Sequence, residues 1–191
     1  MTTSPASATI APRLDVVTDT AFVLAGAAAV AGAAQVSIAL PFTPVPVTGQ
    51  TFAVLLVGAA LGTVRGALSL LVYLGAGVAG APIYADHAHG WSVVTSASGG
   101  YLLGFVLAAA LTGFLAERRW DRRFSSSIGS MLTGNVVVYL VGLPWLAVVL
   151  DTNLEKTLEL GLYPFIPGDI LKLYLAAAVL PGAWRVVGAR R

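Results

Sequence analysis

The sequence predicts an all-α integral membrane protein, a single bundle of six transmembrane helices with both termini cytoplasmic. Three observations lead there. Charged residues make up 10% of the 191-residue chain and hydrophobic ones 57%, whereas a soluble domain carries about 25% charge. The apolar residues gather into runs able to cross roughly 30 Å of hydrocarbon, which takes about 20 residues, or fewer where a helix is recessed. Arginine is also sorted. With six spans, all nine arginines (Arg13, Arg65, Arg118, Arg119, Arg122, Arg123, Arg185, Arg190, Arg191) fall on one side, while Lys156 and Lys172 fall on the other. Short loops rich in Lys and Arg stay cytoplasmic.

Residues 1–18 read as a loosely ordered cytoplasmic tail, and 19–191 as one domain. The tail lacks the basic segment followed directly by an apolar run that marks a signal peptide. The first span is expected over Ala21–Leu40. Within it VLAGAAAVAGAAQV repeats small residues, and Ala25, Ala29 and Ala33, four apart, share one smooth helix face. Such a face suits close packing inside the bundle or the docking of a partner protein.

The stretch PFTPVPVTGQTF (41–52) then interrupts the apolar sequence. Its prolines fix φ, and Thr48, Gly49 and Gln50 bring hydrogen-bonding groups to the next helix. Thr51–Gly80 is apolar except for Arg65. As one span it would hold a guanidinium near the bilayer centre, at several kcal/mol. Two short spans, Thr51–Val64 and Gly66–Gly80, put Arg65 in a tight turn instead. Gly99–Ala116, Ile128–Leu150 and Ile170–Val187 complete the six, with ERRWDRR (117–123) between the fourth and fifth.

Chemistry is therefore expected on the outer side, in the connections Pro41–Gln50, Ala81–Ser98 and Asp151–Gly168. In PFIPGDILKLYL (164–175), Asp169 and Lys172 are three apart and share a helix face. They read either as a helix-capping aspartate with a snorkelling lysine, or as an inward-facing pair that neutralises itself until a ligand arrives. Gly99 and Gly100 in SASGGYLLGF (96–105) permit close helix packing or leave free N–H groups for an anion or carbonyl, with Tyr101 on the same turn. In GNVVVYLVGLPWLA (134–147), Asn135 is nearer the inner end, where it would bond a neighbouring helix. Tyr139 and Trp145 are the candidates of interest, with Tyr139 read as a ligand residue and Trp145, near the outer interface, also suited to an aromatic belt. The loop ADHAHGWSVVT (85–95) adds Asp86 and Trp91 as possible contacts.

Several classes are set aside. Without cysteine, and with only His87 and His89 in that loop, no metal centre is expected. No P-loop, HExxH or GxSxG motif is present, so neither a nucleotide site nor an enzyme is predicted. A net charge of +2 calls for no nucleic-acid partner, because topology accounts for the arginines.

The motifs PFTPVPVTGQTF (41–52), GTVRGALSLLVYLGAGVAGAPIY (62–84), SGGYLLGF (98–105), GNVVVYLVGLPWL (134–146) and PFIPGDILK (164–172) occur in an order that resembles the BioY family. These are the biotin-specific substrate-binding S components of energy-coupling-factor (ECF) transporters. The resemblance covers about residues 20–188. It implies an S-component-like bundle in a bacterial cell membrane that captures biotin from outside and needs no cofactor. It also implies a transmembrane coupling (T) subunit and two ABC ATPases as partners, and it leaves room for a homo-oligomer. Carried over, Asp169, Lys172, Gly99, Gly100 and Tyr101 become ligand residues, Thr48, Gly49 and Gln50 lid or site positions, and the Ala25–Ala29–Ala33 face the coupling contact. Two departures stand out. Ser96-Ala97-Ser98 replaces the family's Gly-Pro-Thr, and Asp86-His87 replaces small or amide residues. The competing expectation is an S component or secondary transporter for another small vitamin-like molecule.

Overall fold

In a chain this apolar, glycine, proline and a few charges decide where helices break. The computed structural model describes residues 16–120 and 123–188. Its helices are α1 (Val16–Ala34), α2 (Gln50–Leu61), α3 (Thr63–Val78), α4 (Trp91–Val94), α5 (Gly99–Glu117), α6 (Phe124–Leu150), α7 (Leu154–Gly161) and α8 (Ile166–Gly188). Six of them, α1, α2, α3, α5, α6 and α8, coincide with the six predicted runs. By length and hydropathy α1, α5 and α6 are able to cross a membrane, and α2 and α3 are shorter apolar helices. Val16–Thr18, assigned to the tail by the sequence, form the first turn of α1. The rest of that tail, together with Arg13, Arg122, Arg190 and Arg191, lies outside the described residues.

The first span ends at Ala34 rather than Leu40. Beyond it, Ser37–Ile38 is a short strand, β1, paired antiparallel with β2 (Val47–Thr48), with Ser37 opposite Thr48 and Ile38 opposite Val47. Hydropathy counts Val36–Leu40 as helix, but β-branched Val36 and Ile38 around a serine suit a strand. At its other end α8 begins at Ile166, four residues earlier than expected. Pro167 is tolerated in the first turn, where its missing N–H removes no helical bond.

The α2–α3 break is a single residue, Gly62, at φ 86°, a left-handed conformation that glycine adopts without steric cost. Arg65 therefore lies in the first turn of α3 and not in the turn itself. Its guanidinium bonds Asp19 of α1 at 2.6 Å, while Glu117, the last residue of α5, accepts the Thr63 N–H at 2.9 Å. Two carboxylates from other helices thus hold the start of α3. The pairing of Arg65 with Asp19 keeps the charge at the helix end and out of the apolar interior.

α5 is the central helix, packed against α2, α3 and α6. Its buried residues include Gly104, Ala108, Ala109, Thr112 and Gly113, and this small-residue surface lets backbones approach closely. Around it the core is filled by Val54, Leu55, Leu70, Met131 and Leu146. On α1, Gly26, Ala27, Val30 and Ala34 face the bundle, whereas Ala25 and Ala29 are exposed and Ala33 is half-buried.

Candidate ligand-binding site

Three connections meet at the end of the bundle opposite Arg65 and Arg118. The first, residues 35–49, is fastened on both flanks. Gln35 donates from Nε2 to the carbonyls of Ile83 and Tyr84 at 3.3 and 3.1 Å, and accepts the His87 N–H at 3.3 Å. Ser37 Oγ donates to the Asp86 carboxylate at 3.2 Å. Thr43 Oγ1 donates to Leu160 O at 2.7 Å and accepts the Val45 N–H. The Pro-rich stretch thus spans from α1 to α7 with few free degrees of motion.

The second connection turns through Asp86 and His87, at φ 55° and 58°. Left-handed backbone at two adjacent non-glycine residues is costly, so it persists only where its surroundings hold it. Gln35 and Ser37 supply that hold. Tyr84 packs edge-on against Tyr73, with ring centroids 5.4 Å apart, and donates to Leu74 O at 2.7 Å. Burial raises its phenol above the ordinary value, which keeps it a neutral donor. In the third connection, Asn153 caps α7 by accepting the Lys156 N–H at 2.9 Å, and Tyr101 OH donates to Gly161 O at 2.9 Å.

Beneath them lies a cavity of about 290 Å³, close to the lower end of the roughly 300–1,000 Å³ seen for small-molecule sites. Val45, Leu102, Phe105, Val138 and Phe165 line it as apolar wall. Its charged centre is Asp169, which is 8% exposed. One carboxylate oxygen accepts from Lys172 Nζ at 3.3 Å. The other accepts from the Tyr139 hydroxyl. Tyr139 in turn meets Tyr101 edge-on, with centroids 6.3 Å apart. Opposite, Thr48 Oγ1 donates to Gln50 Oε1 at 3.0 Å, and Gln50 Nε2 donates to Tyr73 OH at 2.7 Å. The site offers an ion pair at neutral net charge, several hydroxyls and two amides, in an otherwise apolar chamber. Among the described residues no group of His, Cys, Asp and Glu could hold a metal ion.

Of the residues singled out in the sequence, Thr48, Gln50, Tyr101, Tyr139, Asp169 and Lys172 line this one cavity. Five others do not. Gly49 packs on α1, where an added Cβ would come 2.8 Å from Ala33 O. Gly99 and Gly100 are filled against: a Cβ on Gly99 would overlap the Val94 carbonyl, and one on Gly100 would overlap Trp145. The glycine pair thus seats an indole, whose Nε1 donates to Ser96 O at 2.9 Å. Trp145, half-buried, is consequently packed against that glycine pair. Asp86 is exposed and tied to Ser37, and Trp91 is 65% exposed at the start of α4.

Sequence reasoning missed Tyr84, Phe105 and Phe165, and it misread Asn135, all of which line the cavity. Asn135 was expected to bond a neighbouring helix, yet its amide oxygen is buried with no partner. A signal existed for two of these. Asn135 and Tyr139, like Tyr101 and Phe105, are four apart and share a helix face. Ser96 and Ser98, the departure from the family pattern, also reach the wall.

Comparison with known proteins agrees with this architecture. A solved S-component for biotin from an ECF-type ABC transporter superposes with a TM-score of 0.81 over 91% of this chain and 95% of that one, at 24% identity, which establishes the fold. The biotin transporter BioY of Rhizobium etli is 34% identical over 147 residues, 73% of this chain and 78% of the relative. A probable biotin transporter BioY of Methanothermobacter thermautotrophicus is 43% identical over 134 residues, 64% and 83% of the two chains. Its counterpart in Thermotoga maritima, a biotin transporter BioY, is 34% identical over 142 residues, 74% and 82%. The sequence model of the BioY family matches residues 2–189, nearly the whole length. With the multi-pass helical fold and these relatives in agreement, the chain belongs to the BioY family.

Proposed function

We propose that this chain captures biotin with high affinity from the outer side of a bacterial plasma membrane, as the S component of an ECF-type ABC transporter. The observation that carries the reading is the buried Tyr139–Asp169–Lys172 cluster in a chamber that is otherwise mostly apolar. Biotin has a ureido ring with two N–H donors and a carbonyl, an apolar thioether ring and chain, and a carboxylate. Asp169 accepts ureido N–H groups, Lys172 supplies a donor or the balancing cation, and the aromatic and aliphatic walls take the apolar remainder. Thr48 lies in a stiffened lid and Gln50 opens α2 beside it, so little entropy is lost on closing over the ligand.

The helices α1, α2, α3, α5, α6 and α8 are read as six spans with both termini cytoplasmic, because that arrangement gathers the arginines on one side. A tight binder without an energy source cannot accumulate its ligand, so release is driven by partners. Those partners are a transmembrane coupling subunit and two ATPases, in keeping with the lack of any nucleotide motif in this chain. Binding to the purified protein in detergent tests the reading. Saturating biotin should raise the melting temperature by on the order of 10 °C, with desthiobiotin close behind and thiamine without effect. A shift with thiamine alone would favour an S component for another vitamin, and no shift with biotin would refute the proposal.

The Ala25–Ala29–Ala33 face is proposed as the docking surface for the coupling subunit. Ala29 is exposed on it, so Ala29→Trp should abolish co-purification with the coupling module while biotin binding is retained. Unimpaired assembly would return that face to lipid.

A further inference from the structure

We infer that Asn135 reads the ring of the ligand, its carboxamide pairing with one N–H/C=O edge of a cyclic urea. This rests on the biotin reading and deepens it by assigning a specificity-determining residue. Asn135 is 6% exposed and lies on the cavity wall. Its amide oxygen is buried without a hydrogen-bond partner among the described residues. More than about nine in ten buried polar groups are paired in folded proteins, so an orphan facing a cavity marks a place where something else binds.

The charged pair and the other amide on the wall already hold bonds within the chain. Each oxygen of Asp169 accepts one hydrogen bond, from Tyr139 and from Lys172, and the Gln50 amide is held by Thr48 and Tyr73. Of the two amides on the wall, Asn135 is the one whose oxygen has no partner among the described residues. It sits four residues before Tyr139 on α6, about 6 Å further towards the arginine-bearing end. A ligand reaching past the Asp169–Lys172 pair meets it next. An uncharged carboxamide presents a donor and an acceptor side by side in one plane, and a cyclic urea edge presents the complementary pair. Two parallel hydrogen bonds result, whichever of the two terminal positions carries the oxygen.

The purified full-length protein in detergent tests this by calorimetric titration with biotin and 2-iminobiotin. In the latter a protonated cyclic guanidine replaces the urea, so the edge is all donor. The wild type should prefer biotin. Asn135→Leu, of similar size, should weaken biotin binding roughly thirtyfold, with a ligand-free melting temperature no lower than that of the wild type. Asn135→Asp, which presents only acceptors, should reverse the order and favour 2-iminobiotin. A Leu variant binding biotin within about threefold of wild type, or an Asp variant keeping the wild-type order, overturns the assignment. A lower ligand-free melting temperature of the Leu variant also overturns it, because it would make Asn135 a packing residue. A wild type that binds neither compound refutes the biotin reading itself, a result separate from any of these.

Discussion

Lys172→Ala should weaken biotin binding at least about a hundredfold, measured by calorimetry on the purified protein. The Lys172 and Asp169 side chains are 18% and 10% exposed, so removing the ammonium leaves a carboxylate in low dielectric with, among the described residues, the Tyr139 hydroxyl as its remaining side-chain donor. Breaking a buried pair from one side costs about 3–5 kcal/mol, and each 1.4 kcal/mol is a factor of ten in affinity. Asp169→Asn strands the cation and removes the strongest acceptor for a ureido N–H, and a loss of the same order is expected. The double variant separates stability from binding. With both charges gone nothing is left unpaired, so its melting temperature should fall by less than the sum of the single losses, while biotin still fails to bind. Wild-type affinity in both single variants would show that the cluster is structural and the ligand sits elsewhere.

Gly58→Ala should be among the most destabilising single-methyl additions in the bundle, by more than about 3 kcal/mol. At this point α2 crosses α5 with backbones almost touching. An added Cβ would overlap Thr112 Oγ1 and Ala109 O and lie 2.8 Å from Ala109 Cα. Backbone cannot yield as the end of a side chain can, so the helices must part. Gly66 of α3 is stacked on the same spot, 3.0 Å from Gly58 Cα by the same construction, so α3 would shift as well. Because α2 and α5 also wall the cavity, biotin affinity should fall together with the detergent melting temperature. Gly75→Ala is the control. Beyond its own turn of helix nothing lies within 4 Å of its added Cβ, and replacing a glycine in the last turn of α3 should leave stability unchanged or slightly raised. Equal melting temperatures for the Gly58 and Gly75 variants would refute the close-packed crossing.

How much of this was legible in the sequence follows from what each signal measures. Apolar run length located α1, α2, α3, α5, α6 and α8, and the cost of burying Arg65 placed a break between α2 and α3. The i, i+3 spacing of Asp169 and Lys172 put both on one helix face and left open a capping aspartate or an inward pair; the two meet at 3.3 Å. Thr48, Gln50, Tyr101 and Tyr139 were found because a polar tip in a greasy chain is conspicuous. Phe105, Phe165 and Tyr84 were not, since an aromatic among apolar neighbours carries no mark of facing a cavity. Gly99 and Gly100 misled for the opposite reason. A glycine announces close approach but not of what, and here the visitor is the Trp145 indole.

The amino-acid sequence alone was enough to locate six apolar helical runs, a break beside Arg65 and two charged residues on one face at the start of the last helix. Those are local quantities: run length, charge placement, residue spacing. Only the tertiary structure decided which face of each helix looks inward. In a soluble helix that is read from the contrast between an apolar core face and a polar outer one. In this bundle the lipid face and the core face are both apolar, so the contrast is absent. Asn135 shows the consequence. Its helix and its spacing from Tyr139 were plain in the sequence, but that its amide faces a cavity unpaired emerged only once α5, α6 and α8 were packed together.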